Sequence, residues 1–420
     1  MTGEPFAAKL VAIRRQLHEK PELSFQEYET TEAIKGWLAE AGIRILDYGL
    51  PTGVVAELGG RGGEAENINK GEAAAGPGNS GSGKDKSAPG AARDRETKER
   101  EHNAAPVVAL RADIDALPIQ EETGLPFASR VDGVMHACGH DFHTAALLGA
   151  AFLLKEREHE LPGVVRLLFQ PAEEKAKGAQ QLIARGALEG VDAIFGIHNK
   201  PDLPVGTIGI TGGPLMAAAD GFVVEVDGVG THAAVPEAGI DPIVTASHII
   251  TALQSIVSRN VSALDSAVIS VTRLNAGSSW NVISEKAVFD GTIRTFTSEV
   301  RQAVKGRFEG VVAGVAAAFG TTARVKWLDG PPAVHNDEFW ADVAAEAAKE
   351  QGLTVVKPQV SPAGEDFSFY LEQTKGAFLF VGTDGPFQWH HPAFDLDESA
   401  LPGTASLLAA IAENALTKLS

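Results

Sequence analysis

The chain has 420 residues, more than one ordinary domain holds, so two domains are expected. Its 36 Lys and Arg against 55 Asp and Glu leave a formal charge of −19, which argues against nucleic acid and acidic membrane surfaces as partners. A single cysteine excludes an internal disulfide, and a soluble, cytoplasmic, globular protein is the expectation.

In chain order, MTGEPFAAKLVAIRRQLHEKPE (residues 1–22) carries charges every few positions, so it reads as an amphipathic helix and not as a signal peptide. No uncharged apolar run is long enough to span a membrane. GVVAEL (residues 53–58) and PVVALRAD (residues 106–113) read as the two strands of a hairpin. Between them, residues 62–104 are rich in Gly, Ala, Glu and Lys with Ile68 as the one large apolar side chain, the composition of a disordered insertion. Within that segment GNSGSGKD nearly matches a phosphate-binding loop, but Asp85 takes the Ser/Thr position and no strand precedes it.

Further strand-like runs are GVVRLLFQ (163–170), DAIFGIH (192–198) and AFLFVGT (377–383), with HTAALLGAAFLLKERE and AKGAQQLIARGAL as helical runs between them. That alternation predicts an α/β fold, a mostly parallel sheet with helices on its faces. The rhythm changes near residue 216. ADGFVVEVDGV, AVISVTRLNAG, KAVFDGTIRTF and TARVKWLDG read as strands, with helices over 241–259 and 298–320. The order β-α-β-β-α-β predicts a ferredoxin-like module inserted in the first domain and able to move as a lid. The expected division is 1–215 and 332–420 for the catalytic domain and 216–331 for the satellite domain.

An open α/β sheet gathers its chemistry at the carboxyl ends of its parallel strands. Asp113 and Asp115 follow VVALRA, Glu173 and Glu174 follow GVVRLLFQ, His198 ends DAIFGI, Glu365 and Asp366 follow TVVKPQVSPAG, and His390 and His391 follow AFLFVGTDGPFQW. HACGHDFHTA holds the only cysteine, Cys138, two residues before His140. Each alone has a plainer reading: a lone cysteine packs a core, and an acidic pair faces solvent. Together, one thiol, several imidazoles and a carboxylate suit zinc, with manganese, cobalt or nickel as alternatives.

RRQLHEKPELSFQEYETT, LRADIDALPIQEETGLPFAS, MHACGHDFHTAALLGAA, FQPAEE, GTHAAVPEAGIDPI, NVIS, GTIRTF, GEDFSFY and HHPAFDLDESALPG resemble, in order, the motifs of the amidohydrolase branch of the aminoacylase/carboxypeptidase dinuclear metallopeptidases. That branch includes hippurate hydrolases, N-acyl-amino-acid amidohydrolases, indoleacetyl-amino-acid hydrolases and acetyldiaminopimelate deacetylases. The resemblance implies a metal-binding catalytic domain with a ferredoxin-like satellite domain that mediates a homodimer or homotetramer. It implies two divalent metal ions held by Cys138, His140, Glu174, His198 and His390, with Cys138 bridging and Glu173 as general base. By the same resemblance Asp115 orients a ligand, and His232 reaches an active site, often that of the other subunit. Asn281 and Arg294 then hold the substrate carboxylate. His391 occupies a variable position, which leaves the choice between His390 and His391 open.

Two cations sharing a water would lower its pKa and polarise the scissile carbonyl, while a buried carboxylate moves the proton to the leaving nitrogen. The implied reaction is hydrolysis of N-acyl amino acids. N-acetyldiaminopimelate deacetylation is the nearest alternative, and a dipeptidase or carboxypeptidase ranks lower. A silent binding relative would be expected to have lost the base or a ligand, and all are present.

Overall fold

The computed structural model describes residues 3–60 and 105–420. The expected insertion at 62–104 and the phosphate-loop-like stretch inside it lie outside the described residues. The chain opens with the helix Glu4–His18, which buries Phe6, Leu10, Ile13 and Leu17 on one face. Strands β1 (Arg44–Leu46), β2 (Val54–Gly59), β3 (Val107–Asp113), β4 (Val164–Gln170), β5 (Ala193–Lys200) and β6 (Thr207–Gly209) follow, with the helices His140–Glu156 and Gly178–Ala184 among them. Strand β7 (Gly213–Met216) then leads into a second sheet.

That second sheet consists of β8 (Ala218–Asp227), β10 (Ala267–Ala276), β12 (Lys286–Thr295) and β13 (Thr322–Leu328). Between them run the short strands β9 (Thr231–His232) and β11 (Val282–Ile283), which pair with each other as a separate ribbon. The order β10-β12-β8-β13 is antiparallel throughout, and the helices Pro242–Asn260 and Ser298–Ala318 cover one face. This is the β-α-β-β-α-β arrangement expected from the sequence. Its burial alternates along β8, and Phe222, Val224, Ile249, Phe289 and Phe308 form a core of its own. Asp241 and Thr297 start the two helices by accepting hydrogen bonds from their first-turn amides.

The chain returns through β14 (Val334–Asn336), which pairs with β7, and completes the larger sheet with β15 (Thr354–Val356) and β16 (Gly376–Gly382). The eight strands run β1-β2-β4-β3-β5-β16-β6-β15. The central pairs β4–β3, β3–β5 and β5–β16 are parallel. One sequence expectation is corrected here. β2 and β3 form no hairpin, because β4 lies between them, antiparallel to β2 and parallel to β3. Both neighbours are apolar and almost fully buried, and such a run suits a strand flanked on both sides as well as one in a hairpin. Among the described residues no helix is long and apolar enough to cross a membrane.

The helix His140–Glu156 is buried along nearly its whole length, between the sheet and the helices Glu4–His18 and Ala400–Leu419. Gly149 permits this, since a Cβ there would stand 2.7 Å from the Ala405 Cβ and 2.9 Å from a Leu10 methyl. At the helix start Asp141 accepts from Arg14 Nε and His18 Nδ1, each at 2.8 Å. Arg14 also donates to Glu398 at 3.0 Å, and His18 Nε2 lies 3.3 Å from Glu121. The N-terminal helix is thereby pinned to the start of the helix His140–Glu156 by ion pairs as well as by apolar contact.

Burial works against charging His18, but the Asp141 carboxylate and the hydrogen bonds to Asp141 and Glu121 raise its pKa to about 9. A pKa raised on folding means that the stabilisation is complete below the unfolded value of about 6.5 and is lost as pH climbs through about 9. His18→Gln should remove this dependence, worth up to about 3 kcal/mol. Thermal melting from pH 6.5 to pH 9.5, wild type against variant, should show the steeper decline in the wild type. Parallel curves would mean that His18 is neutral throughout.

Candidate metal centre

The larger sheet delivers its polar residues at one edge. Asp113 ends β3, Glu173 and Glu174 follow β4, His198 lies near the end of β5, and the loop after β16 carries Trp389 and His390. Helix His140–Glu156 begins at Gly139, in the left-handed region with φ 85°. That turn puts Cys138 and His140 on the same side, which two residues of regular helix could not do. A Cβ on residue 139 would also stand 2.4 Å from the Asn199 amide nitrogen. Ala172 and Ala176, at φ 54° and 51°, bracket the turn that presents Glu173 and Glu174. Left-handed alanines cost about 1–2 kcal/mol each, and such strain is commonly held where it aims functional groups.

The five ligands expected from the sequence come together. The donor atoms of Cys138, His140 and His198 all lie within 4.8 Å of one another, as do those of Cys138, Glu174 and His390. The two groups share the Cys138 sulfur. His198 Nε2 is 3.5 Å from Cys138 Sγ, while its Nδ1 donates to the Asn199 carbonyl at 2.8 Å. His140 Nδ1 donates to Asp115 at 3.2 Å, which leaves Nε2 as the nitrogen with a free lone pair. The adjacent imidazoles have different surroundings. His390 Nε2 faces Glu174 at 3.5 Å, whereas His391 stacks on Phe387 and accepts from the Ala393 amide.

Asp115 is the hub beneath the ligands. Its two oxygens accept from Ser24 Oγ at 2.6 Å and from the amides of Glu173 and Glu174 at 3.1 Å, besides His140. One carboxylate thus orients a ligand imidazole and the backbone of both glutamates. Glu27, fully buried, accepts from the Ala172 amide at 2.9 Å and fixes the start of the same turn.

The donor set fits divalent cations. His140 Nε2 and Glu174 Oε1 are buried without a hydrogen-bond partner, a costly state for a polar group unless an ion completes it. Negative charge is also in excess. Asp113, Glu173, Glu365 and Asp366 crowd around a single buried guanidinium, Arg111, which reaches Asp113 at 2.7 Å, Asp366 at 2.8 Å and Glu365 at 3.0 Å. Burial, then the charges of Glu365 and Glu174, push the Glu173 carboxyl well above the usual carboxylate range. Burial, with Asp113 and Asp366 adding to it against Arg111, raises Glu365 to about 8. Burial, then Glu174 and Glu173, push the Cys138 thiol up, and burial, then His143, hold His198 well below its ordinary value. A thiol beside acids resists ionising alone, and a cation reverses that preference.

Part of this cluster opens into a cavity of about 400 Å³. Its walls include Cys138, Glu173, Glu174, His198 and His390 from the larger sheet, Met216 and Pro331 at the crossing, and Ala219 and Arg294 from the smaller sheet. Arg294 donates hydrogen bonds to neutral groups, the carbonyls of Pro362 and Ile293 at 3.1 Å and the Thr292 hydroxyl. His232 and Asn281 do not line this cavity. They sit side by side on the exposed β9–β11 ribbon, where the Ala233 amide donates to the Asn281 carbonyl at 3.0 Å.

Several residues of the site carried no expectation. Arg111, Ser24, Glu27, His143, Asn199 and Trp389 are buried or half-buried supports. Arg111, Ser24, Glu27 and His143 stand inside motifs that were recognised as wholes. A buried arginine in VVALRAD, at the centre of an apolar strand, was the one signal that spacing offered.

Comparison with known proteins agrees with the geometry. Residues 109–414 match the model of peptidase family M20/M25/M40. The chain belongs to that family. Among M20 relatives, an N-acetylcysteine deacetylase of Bacillus subtilis is 49% identical over 413 residues, covering 98% of each chain. An N-acetyl-L-cysteine deacetylase of the same organism is 51% identical over 393 residues, covering 94% of this chain and 85% of that one. The crystal structure of the Bacillus subtilis YXEP protein, described as a dinuclear metal binding peptidase from the M20 family, superposes with a TM-score of 0.82 at 46% identity, covering 99% of both chains. The M20 chain is therefore a metal-dependent amidohydrolase acting on amide bonds.

Replacing Cys138 by Ala, or Asp115 by Ala, should lower metal affinity by about 10–100-fold, since ligands and the groups that orient them act together. Elemental analysis after dialysis against dilute chelator reads this directly. Wild-type metal content in Cys138→Ala would make the thiol a packing residue.

Proposed function

We propose that this amidohydrolase cleaves the amide bond of N-acyl amino acids, with Glu173 as general base and Arg294 as receptor for the substrate carboxylate. The observation that carries the reading is one cavity whose walls hold a proton acceptor, a cluster of metal-binding side chains and a guanidinium free of acidic partners in its hydrogen bonding. Cys138, His140, Glu174, His198 and His390 would hold two divalent ions, and zinc, manganese, cobalt or nickel all suit that mixture of donors. Bound there, such ions supply Lewis acidity to the scissile carbonyl and lower the pKa of water.

Glu173 is next in chain to a ligand yet turns its Oε1 towards the Asp366 amide, 3.4 Å away. Held this way, it takes the proton of the attacking water and returns it to the departing amine nitrogen. Arg294 presents a planar fork suited to a carboxylate, in a wall that also holds Ala219, Pro331 and Ala363. The deacetylase relatives support a short acyl group on the amino acid.

We further infer that residues 216–331 form a satellite domain whose edge strand β10 joins a second copy of the chain, so that His232 and Asn281 serve the partner's cavity. Support comes from their separation from the cavity of their own chain. Val268 and Leu274 on β10 are exposed, and Trp280, beside Asn281, is 94% exposed. Such an edge and such an indole call for cover.

Glu173→Gln should keep its metal and lose activity on N-acetylcysteine or N-acetylmethionine by about 10²–10⁴-fold. Normal turnover would remove Glu173 from the role of base. Arg294→Met should raise KM for N-acyl amino acids by about 10–100-fold while leaving their carboxamide analogues unaffected. An equal effect on both would show that Arg294 acts on something other than the carboxylate. Mixing Glu173→Gln with His232→Ala chains should restore part of the activity, and failure to do so argues for sites built within one chain.

A further inference from the structure

We propose that Asn199 is a positioning residue that locks the segments carrying Cys138, His198 and His390 into one ligand set. The proposal rests on the metal-site reading above. Asn199 follows His198 directly in β5 and is fully buried. Both Nδ2 protons and the Oδ1 of its side chain engage segments that carry the clustered metal-binding side chains. Nδ2 donates to the Cys138 carbonyl at 2.6 Å, and Oδ1 accepts from the Trp389 indole at 3.1 Å, one residue before His390. The second Nδ2 proton faces His143 Nε2 at 3.0 Å, and the Asn199 backbone amide donates to the same nitrogen at 2.9 Å.

The amide can sit only one way round. An indole N–H is solely a donor and a carbonyl solely an acceptor, so Oδ1 must face Trp389 and Nδ2 must face Cys138. His143 Nε2 accepts, so its Nδ1 carries the proton and donates to Asp113 at 2.6 Å. Two further contacts extend the lock. The Trp389 ring lies 4.5 Å from the His198 ring, and the His390 amide donates to the Ala137 carbonyl at 2.8 Å. Gly139 is part of the same device, because any side chain there would strike the Asn199 amide. Strand β5, the Cys138 turn and the loop after β16 are far apart in sequence, and one buried carboxamide fixes their spacing.

The test uses the full chain loaded with cobalt(II), with Asn199→Ala, Asn199→Asp and Trp389→Phe as variants. Three quantities are read: metal affinity by chelator competition, the thiolate-to-cobalt charge-transfer band, and kcat and KM separately. Asn199→Ala and Asn199→Asp should bind metal about 10–100-fold more weakly, with a weakened or shifted band and a fall in kcat at little-changed KM. Trp389→Phe keeps a ring against His198 and loses only the indole donor, so it should move in the same direction by a few-fold. Wild-type affinity and band in folded Asn199 variants, even with a lower melting temperature of the metal-free chain, would overturn the proposal. Should the Asn199 variants fail to fold, Trp389→Phe decides, and wild-type behaviour there overturns it as well. A wild type that binds no cobalt overturns this proposal together with the metal-site reading, whereas a wild type that binds it alongside unperturbed variants overturns this proposal alone.

Discussion

The constraint on which the site depends is the concentration of buried acid at the carboxyl edge of one sheet. Asp113, Asp115, Glu173, Glu174, Glu365 and Asp366 converge there, and the buried arginine at their centre is Arg111. An isolated buried carboxylate is expensive, and pairing offsets that expense only where hydrogen bonds are complete. Here they are complete for Asp113, Asp115 and Asp366, which accept from arginine, imidazole, hydroxyl and backbone donors. They are incomplete at Glu174 and at the free nitrogen of His140. Within this acid cluster, the unpaired atoms are those that divalent cations would complete.

The same constraint explains why so much of the chain serves a few side chains. Ser24 and Glu27, from the segment after the first helix, hold the Glu173–Glu174 turn from below. Arg14 and His18 hold Asp141, the neighbour of His140, from the helix itself. The helix His140–Glu156 cannot shift against its neighbours without opening the contact at Gly149. The ligands rest on a rigid floor, while Arg294 reaches the cavity from a sheet with a separate core.

Much of this was legible in the sequence, for identifiable reasons. Strands β3, β4, β5 and β16 and the β-α-β-β-α-β order announce themselves through apolar runs and helical spacing, because burial on both faces or on one face leaves a distinct pattern. The clustering of Cys138, His140, Glu174, His198 and His390 was legible because unlike donors recur at strand ends. The pairing of β2 with β4 was not, since an apolar run does not say which neighbour it takes. The different settings of His390 and His391 were not either. They depend on a positive φ at His390 and on the stacking of His391 on Phe387, which no spacing rule encodes. Asn199 and Trp389 were invisible for a further reason: they act through partners far away in sequence, such as Cys138, and those partners are defined only by the fold.

The strand order also dictates when the catalytic platform can exist. β5 and β6 are close in the chain, yet β16, from residues 376–382, lies between them. During synthesis the smaller sheet, made wholly of residues 218–328, can zip up from sequentially close strands as it leaves the ribosome. The larger sheet must wait, with a gap between β5 and β6, for a strand made after the whole of the smaller sheet. The smaller sheet can thus be complete while the larger one still lacks a strand beside His198.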